Sequence, residues 1–133
     1  MPTAPLQALI ADDDPALLRL LKDLLALVGV DVVAQAGNGG DAIALYERWR
    51  PQVAILDVRM PAPSGLEVLR HIRSRDRDCR IVILTEDDGF ETARQSIALG
   101  ATCYVRKTSS AEAIHRLLAD CLAPHASECP AEP

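Results

Sequence analysis

The chain has 133 residues, 49% hydrophobic and only 3% aromatic, which predicts one domain with an aliphatic core. Its formal net charge of −5 argues against a nucleic-acid surface, which needs clustered Lys and Arg. No apolar stretch approaches the roughly 20 residues of a membrane span, and residues 1–5 do not resemble a secretory signal, so we expect a cytoplasmic protein without membrane contact.

The first predicted strand covers residues 6–11, and a helix follows it at once. Asp14 is a suitable N-cap, and Pro15 occupies the first helical position, where its missing N–H does no harm. Leucines then recur at helical spacing. The second predicted strand, residues 30–34, includes Asp31 and is therefore typical of a sheet edge.

A glycine-rich segment at residues 37–40 predicts a turn, and the second helix should end before Pro51, which cannot continue it. The third predicted strand is residues 53–56, and a loop follows at residues 60–64. The run Ser-Gly-Leu-Glu at residues 64–67 has the form of a capping box and predicts the start of the third helix.

The fourth predicted strand is residues 80–84, and Asp88 is a candidate cap for the fourth helix. The fifth strand is predicted at residues 102–105. A second capping box at residues 109–112 opens the fifth helix, which should run to Leu122.

The alternation of strands and helices predicts an α/β fold: a doubly wound, five-stranded parallel sheet with five helices, of the flavodoxin-like type. Reactive side chains follow every predicted strand except the second, which places that strand at an edge and predicts the order 2-1-3-4-5. Residues 6–122 should form this domain, between a short extension at residues 1–5 and a proline-containing, frayed tail at residues 123–133.

Polar side chains that follow the predicted strands should meet at one edge of the sheet. They are Asp12 and Asp13 after the first strand, Asp57 after the third, Thr85 after the fourth and Lys107 after the fifth. Crowded carboxylates need a cation, and Mg²⁺ prefers oxygen ligands plus a phosphate. Asp57 can then accept a phosphoryl group whose oxygens Thr85 and Lys107 hold. The alternative is that each is an ordinary strand-end or capping residue.

Four motifs resemble those of response-regulator receiver domains, and together they extend over roughly residues 6–122. They are Leu9-Ile10-Ala11-Asp12-Asp13-Asp14-Pro15, Asp57-Val58-Arg59-Met60-Pro61 with Gly65-Leu66-Glu67-Val68-Leu69 behind it, Ile83-Leu84-Thr85, and Gly100-Ala101 leading through Tyr104 to Lys107. The Asp57 segment in register with Thr85 and Lys107 carries most of this resemblance.

The resemblance implies that Asp57 takes a phosphoryl group from the phosphohistidine of a histidine kinase or a histidine phosphotransfer protein. It also implies a Mg²⁺ ion bound directly by Asp13, mostly through water by Asp12, and by the backbone carbonyl of Arg59. Such a domain is a signalling module that catalyses only its own phosphorylation and dephosphorylation, and is not otherwise an enzyme.

The resemblance further implies that Thr85 and Tyr104 form a switch pair. This pair would couple phosphorylation to the surface of helix 4, strand 5 and helix 5, where a second copy or an output domain would dock. The sequence does not separate a stand-alone receiver from one cut from a larger regulator.

Two positions depart from the family pattern near the site. Glu86 follows Thr85 where a small residue is usual, and its charge should oppose an incoming phosphoryl group. Arg59 lies on the facing loop and can pair with Glu86 or Asp87; the alternative is three solvated charges of little effect. Thr108 stands where the family usually has a proline, so whether the preceding peptide bond is cis stays open.

Competing interpretations share the predicted fold or the reactive Asp57 with the receiver interpretation. One is a receiver-like docking module that is not phosphorylated. Another is a haloacid-dehalogenase-like phosphatase, which would need a second acid two residues after Asp57, where Arg59 stands. A flavodoxin-like redox protein would need a hydroxyl-rich phosphate loop after the first strand, and a nucleotide-binding Rossmann domain would need GxGxxG.

The cysteines form no CxxC pair and show no metal-ligand spacing with the histidines; they are Cys79, Cys103, Cys121 and Cys129. A chain of this size needs no covalent cross-links, and a cytoplasmic location favours thiols. We therefore expect reduced, mostly structural cysteines.

Overall fold

The computed structural model describes residues 5–86, 89–107 and 110–122. Strands and helices alternate throughout. They are β1 (Leu6–Ala11), α1 (Pro15–Leu27), β2 (Val30–Ala36), α2 (Gly39–Trp49), β3 (Val53–Leu56), α3 (Gly65–Arg75), β4 (Arg80–Thr85), α4 (Phe90–Ala98), β5 (Cys103–Arg106) and α5 (Ala111–Leu122).

The five strands form one sheet in the order β2-β1-β3-β4-β5, and every neighbouring pair is parallel. The predicted doubly wound sheet, with its second strand at an edge, is therefore confirmed. Because the strands are parallel, all their carboxyl ends lie at the same edge of the sheet. Among the helices of the described ranges, none is both long and apolar enough to cross a membrane.

Both faces of the sheet are covered, so the central strands are apolar on consecutive residues. In β3, Val53 and Ile55 face the layer of α1 and α5, whereas Ala54 and Leu56 face the layer of α2 and α3. Each fully buried Leu or Ile stabilises the fold by roughly 1.5–3 kcal/mol. Two aliphatic layers thus fix the sheet from both sides, and with it the positions of the strand ends.

Side-chain caps start α1 and α3 as the sequence predicts. The Asp14 carboxylate accepts a hydrogen bond from the Ala16 N–H at 3.0 Å, one turn before the leucine stripe of α1. At α3, the Ser64 hydroxyl accepts from the Glu67 N–H while the Glu67 carboxylate accepts from the Ser64 N–H, which confirms the predicted capping box.

The glycine-rich segment after β2 differs from the prediction of a turn. Asn38 caps α2, its side-chain oxygen accepting from the Asp41 N–H at 2.8 Å, so Gly39 and Gly40 are the first residues of the helix. Strand β2 also extends to Ala36, because Ala36 still pairs with β1. Asparagine is as good an N-cap as serine, so helix capping by Asn38 outweighs the turn preference of the glycines.

Some expected features fall on residues outside the described ranges: Asp87, Asp88, Thr108, Ser109, Cys129 and the tail at residues 123–133. Helix α4 begins at Phe90 after Gly89, and α5 begins at Ala111, where the Ser110 hydroxyl accepts from the Ala113 N–H at 3.1 Å. The cis peptide bond among the described residues joins Ala62 to Pro63.

The expectation of reduced cysteines is wrong for one pair. Cys103 of β5 and Cys121 of α5 form a disulfide, with their Cα atoms 6.4 Å apart. Helix α5 packs back along β5, so the fold brings together two residues that are 18 positions apart. Cys79 is a free thiol, and its burial raises its pKa to about 12, so it is unreactive at neutral pH.

Candidate functional site

The ends of β1 and β3 carry the acidic cluster. The hydrogen-bond ladder continues one residue past each strand: the Asp57 N–H donates to the Ala11 carbonyl at 3.0 Å, and the Asp12 N–H donates to the Ala36 carbonyl at 2.9 Å. Both carboxylates are therefore on fixed backbone, and both are almost fully buried. Asp13 is exposed, and one oxygen from each of the three acids lies within 4.8 Å of the others.

Lys107 enters this cluster from the end of β5. Its backbone N–H donates to the Thr85 carbonyl at 2.8 Å, which extends the β4–β5 ladder and aims the side chain at the acids. The ammonium Nζ lies 2.5 Å from Asp12 Oδ2 and 3.2 Å from Asp57 Oδ2. The lysine thus bridges two buried carboxylates.

Burial dominates the electrostatics of the site. It raises the pKa of Asp57, and the neighbouring negative charge of Asp12 raises it further, against the attraction of Lys107. Burial also raises the pKa of Asp12. For Lys107, burial acts to lower the pKa, but the bond to Asp12 and the charge of Asp57 outweigh it, and its pKa is raised. One ammonium therefore does not fully compensate the buried acids.

The cluster fits a hard divalent cation. Three carboxylates and one ammonium leave two negative charges, which a divalent ion would balance. Asp12 Oδ1 accepts from the Asp14 N–H at 2.9 Å, but the buried Oδ2 accepts no well-directed hydrogen bond from the described residues and has only the ion pair with Lys107. An oxygen in that position is available to a metal or to its bound water.

The acids open into a cavity of about 270 Å³ at the sheet edge. It is lined by Asp13, Asp14, Asp57, Arg59, Glu86 and Lys107. Arg59 and Glu86 both line this cavity, and Asp87 lies outside the described residues. Sequence reasoning took Asp14 only for a helix cap, but its position directly after the acidic pair also places it in the cavity wall.

Thr85 and Tyr104 lie on the same face of adjacent strands. Ile83 is the register partner of Tyr104, and Thr85 is two residues beyond Ile83, so the two side chains are diagonal neighbours. Thr85 is fully buried, and Tyr104 is half-buried against the layer of α2 and α3. The two side chains thus share one face of the sheet, with Thr85 at the end of β4.

Comparison with known proteins agrees with this arrangement. The family model of the response regulator receiver domain matches residues 8–119. The chain belongs to this receiver family. It is 39% identical over 116 residues to the nitrate/nitrite response regulator protein NarP of Escherichia coli, covering 86% of this chain and 54% of that protein.

Other receivers and regulators show the same relation. The DNA-binding transcriptional activator DevR/DosR of Mycobacterium tuberculosis is 38% identical over 84% of this chain and 52% of its own length. A crystal structure of a LuxR-family two-component response regulator from Aurantimonas is 30% identical with a TM-score of 0.78, covering 93% of this chain and 94% of that one. This receiver domain spans about half the length of the curated relatives it matches.

Neutralising Asp57 should stabilise the metal-free domain. Because the pKa of Asp57 is raised in the folded domain, the ionised carboxylate lowers the stability of the fold. This cost begins above the usual carboxyl pKa and is complete above the folded-state pKa. Asp57→Asn should therefore raise the thermal midpoint by the order of a few degrees at pH 7.5 without divalent ions. The gain should vanish as the pH falls toward the usual carboxyl pKa of 3.8, where the wild-type acid is protonated.

Circular dichroism melts over this pH range measure the effect. Asp31→Asn is the matched control, because Asp31 is an exposed carboxylate at the opposite end of the sheet. An unchanged or lower midpoint for Asp57→Asn at pH 7.5 would contradict the assigned electrostatics.

Proposed function

We propose that this receiver accepts a phosphoryl group on Asp57 from the phosphohistidine of a histidine kinase or a histidine phosphotransfer protein. The observation that carries the proposal is the Asp57 carboxylate on fixed backbone, bridged to Asp12 by Lys107 and open to a cavity that Lys107 also lines. A buried nucleophile that faces a cavity with a cation in its wall suits selective phosphoryl transfer.

In the proposed reaction, an Asp57 oxygen attacks phosphorus, and the bond from phosphorus to the donor nitrogen breaks, leaving an acyl phosphate on Asp57. The Lys107 ammonium, 3.2 Å from Asp57 Oδ2, is placed to stabilise the charge that gathers on the transferred oxygens. Thr85, buried at the end of β4, would supply its hydroxyl to the same group. These residues position and stabilise the phosphoryl group, and Asp57 alone forms the bond.

A Mg²⁺ ion would be held by Asp12, Asp13, Asp57 and the main-chain carbonyl of Arg59. When bound, the ion neutralises charge on the phosphoryl oxygens. Asp13 is the exposed member of the acidic cluster and would be a direct ligand. Asp12, already engaged by Lys107, would act mostly through water.

Phosphorylation should be confined to Asp57. Treatment of the wild type with acetyl phosphate and Mg²⁺ should add one acid-labile phosphate, and Asp57→Asn should add none, because the amide has no nucleophilic oxygen. Intact-mass spectrometry measures both. Asp31→Asn, at the opposite end of the sheet, should incorporate like wild type. Undiminished incorporation in Asp57→Asn would reject the assignment, whereas no incorporation in wild type would favour a non-phosphorylated docking module.

The output surface is proposed to be the face of α4, β5 and α5, through which a second copy or an output domain would dock. Phe90 and Ile97 on α4 are 80% and 53% exposed. Just past the C-terminal end of α4, the Arg73 guanidinium donates to the Gly100 carbonyl at 2.7 Å from Nη2 and 3.1 Å from Nε. These hydrogen bonds tie the segment that follows α4 to α3.

Thr85 and Tyr104 would couple the site to that face. When the Thr85 hydroxyl turns toward the phosphoryl oxygens, it vacates space beside the Tyr104 ring. Adding beryllofluoride and Mg²⁺ should therefore shift amide resonances near Tyr104 as well as near Asp57. Thr85→Val keeps the side-chain shape but lacks the hydroxyl, and should lose the shifts near Tyr104. Shifts confined to the neighbourhood of Asp57 in wild type would exclude this route.

Glu86 and Arg59 are proposed to tune access to Asp57, together with Asp87. Glu86 lines the mouth, where its charge opposes an incoming dianionic phosphoryl group. Glu86→Gln should speed acetyl phosphate labelling by up to several-fold at low salt, and the gain should shrink above about 0.1 M salt. Arg59→Ala should change the lifetime of the acyl phosphate. Glu91→Gln, which removes an exposed charge on α4, is the control. If the labelling rate of Glu86→Gln and the acyl phosphate lifetime of Arg59→Ala both equal those of wild type, the two residues are only solvent-screened surface charges.

Domain limits of residues 6–122 and a cytoplasmic location are part of the same proposal. The histidine-phosphorylated donor that it requires is a cytoplasmic partner, and the family match at residues 8–119 lies within those limits.

A further inference from the structure

The loop between β3 and α3 is held by the backbone at two points. At its start, the Gly65 N–H donates to the Val58 carbonyl at 3.0 Å. Near its middle, the Gly39 N–H, an unsatisfied donor at the first position of α2, donates to the Pro61 carbonyl at 3.2 Å. Arg59 and Met60 lie between the two carbonyls that accept these bonds. The main chain of these two residues is therefore held on one side by the first residue of α3 and on the other by the first residue of α2.

Gly39 allows this contact because it has no side chain. A Cβ at this position would lie 1.7 Å from the Pro63 carbonyl oxygen and 3.0 Å from the Pro63 ring. The neighbouring Gly40 differs, since a Cβ there would meet only the Asn38 side-chain oxygen at 3.4 Å. Gly39 is buried and Gly40 is exposed, so two consecutive glycines in one helical turn have opposite steric surroundings.

We propose that Gly39 is a positioning residue for the metal site, acting through the loop on the main-chain carbonyl of Arg59. This inference rests on the proposed function. A main-chain ligand has no rotamer to adjust and moves only with its backbone. An added Cβ would force the Pro63 carbonyl back by more than about 1 Å, a shift on the scale that disrupts a preorganised site.

Comparing Mg²⁺ with Ca²⁺ binding distinguishes a displaced carbonyl ligand from a general loss of folding. Mg²⁺ demands near-ideal octahedral geometry with ligands at about 2 Å, whereas Ca²⁺ accepts longer and more variable distances. A displaced carbonyl should therefore weaken Mg²⁺ binding more than Ca²⁺ binding. A general loss of folding would weaken both to the same degree, so the ratio of the two affinities separates positioning from stability.

The test compares Gly39→Ala with Gly40→Ala by calorimetric titration of Mg²⁺ and of Ca²⁺. Both changes replace glycine by alanine in the first turn of α2 and give the same gain in helix propensity. Gly39→Ala should weaken Mg²⁺ binding by about 10–100-fold, with a smaller loss for Ca²⁺, as when an outer-shell partner is removed. Gly40→Ala should bind both like wild type. Equal Mg²⁺ affinities in the two variants, or equal losses for the two cations, would overturn the inference.

Thermal melts establish whether Gly39→Ala is folded. If it is not, an NMR titration of wild type with Mg²⁺ provides the test, because the Gly39 N–H donates to the Pro61 carbonyl of the same loop. A shift of the Gly39 amide resonance larger than that of Gly40 would support the inference, and an unshifted Gly39 resonance would overturn it.

Wild type and Asp13→Ala distinguish this inference from the proposed function. If wild type binds Mg²⁺ and Asp13→Ala does not, the ligand set stands, and the Gly39 variants decide the positioning role alone. If wild type binds no Mg²⁺, the metal site of the proposed function fails, and the positioning role fails with it.

Discussion

The repulsion between carboxylates at one sheet edge is the constraint on which this structure depends. Asp12 and Asp57 are almost fully buried on neighbouring strands, and burial raises the pKa of each. The Lys107 ammonium pairs with both carboxylates and so reduces their repulsion. Three acids and one ammonium still leave negative charge at the site. The rest of the fold must hold these groups together against their own repulsion.

The aliphatic core supplies that force. Side chains of β3 are buried on both faces, and the hydrogen-bond ladders run one residue past the strands, so Asp57 cannot retreat without breaking its bond to the Ala11 carbonyl. In the loop after Asp57, Val58 and Met60 are only partly buried against the core. Two backbone hydrogen bonds, from Gly39 and Gly65, also hold this loop, at places where a side chain would not fit. Packing therefore fixes the nucleophile, while close backbone approach fixes the loop beside it.

The sheet order and the acidic cluster could be predicted because both follow from local patterns and one geometric rule. Apolar runs ending in Asp12, Asp57 and Lys107 are visible in sequence, and parallel strands bring their carboxyl ends to one edge. The bridge between Cys103 and Cys121 could not be predicted, because it depends on how α5 lies along β5. For the same reason, the Gly39 contact with the loop leaves no trace in sequence beyond a glycine that also suits a turn.

The incomplete neutralisation of the acids is consistent with a switch and would be a defect in a purely structural site. If Lys107 balanced the cluster fully, a divalent ion would gain little on binding, and the buried oxygen of Asp12 would already have its partners. Transfer of a phosphoryl group to Asp57 would replace one negative charge by about two, which raises the demand for Lys107 and for a cation at the same point. The same electrostatic repulsion would then couple the chemistry at Asp57 to Thr85 and to the face beyond it. The uncompensated charge at the sheet edge would in this way make the domain responsive to phosphorylation of Asp57.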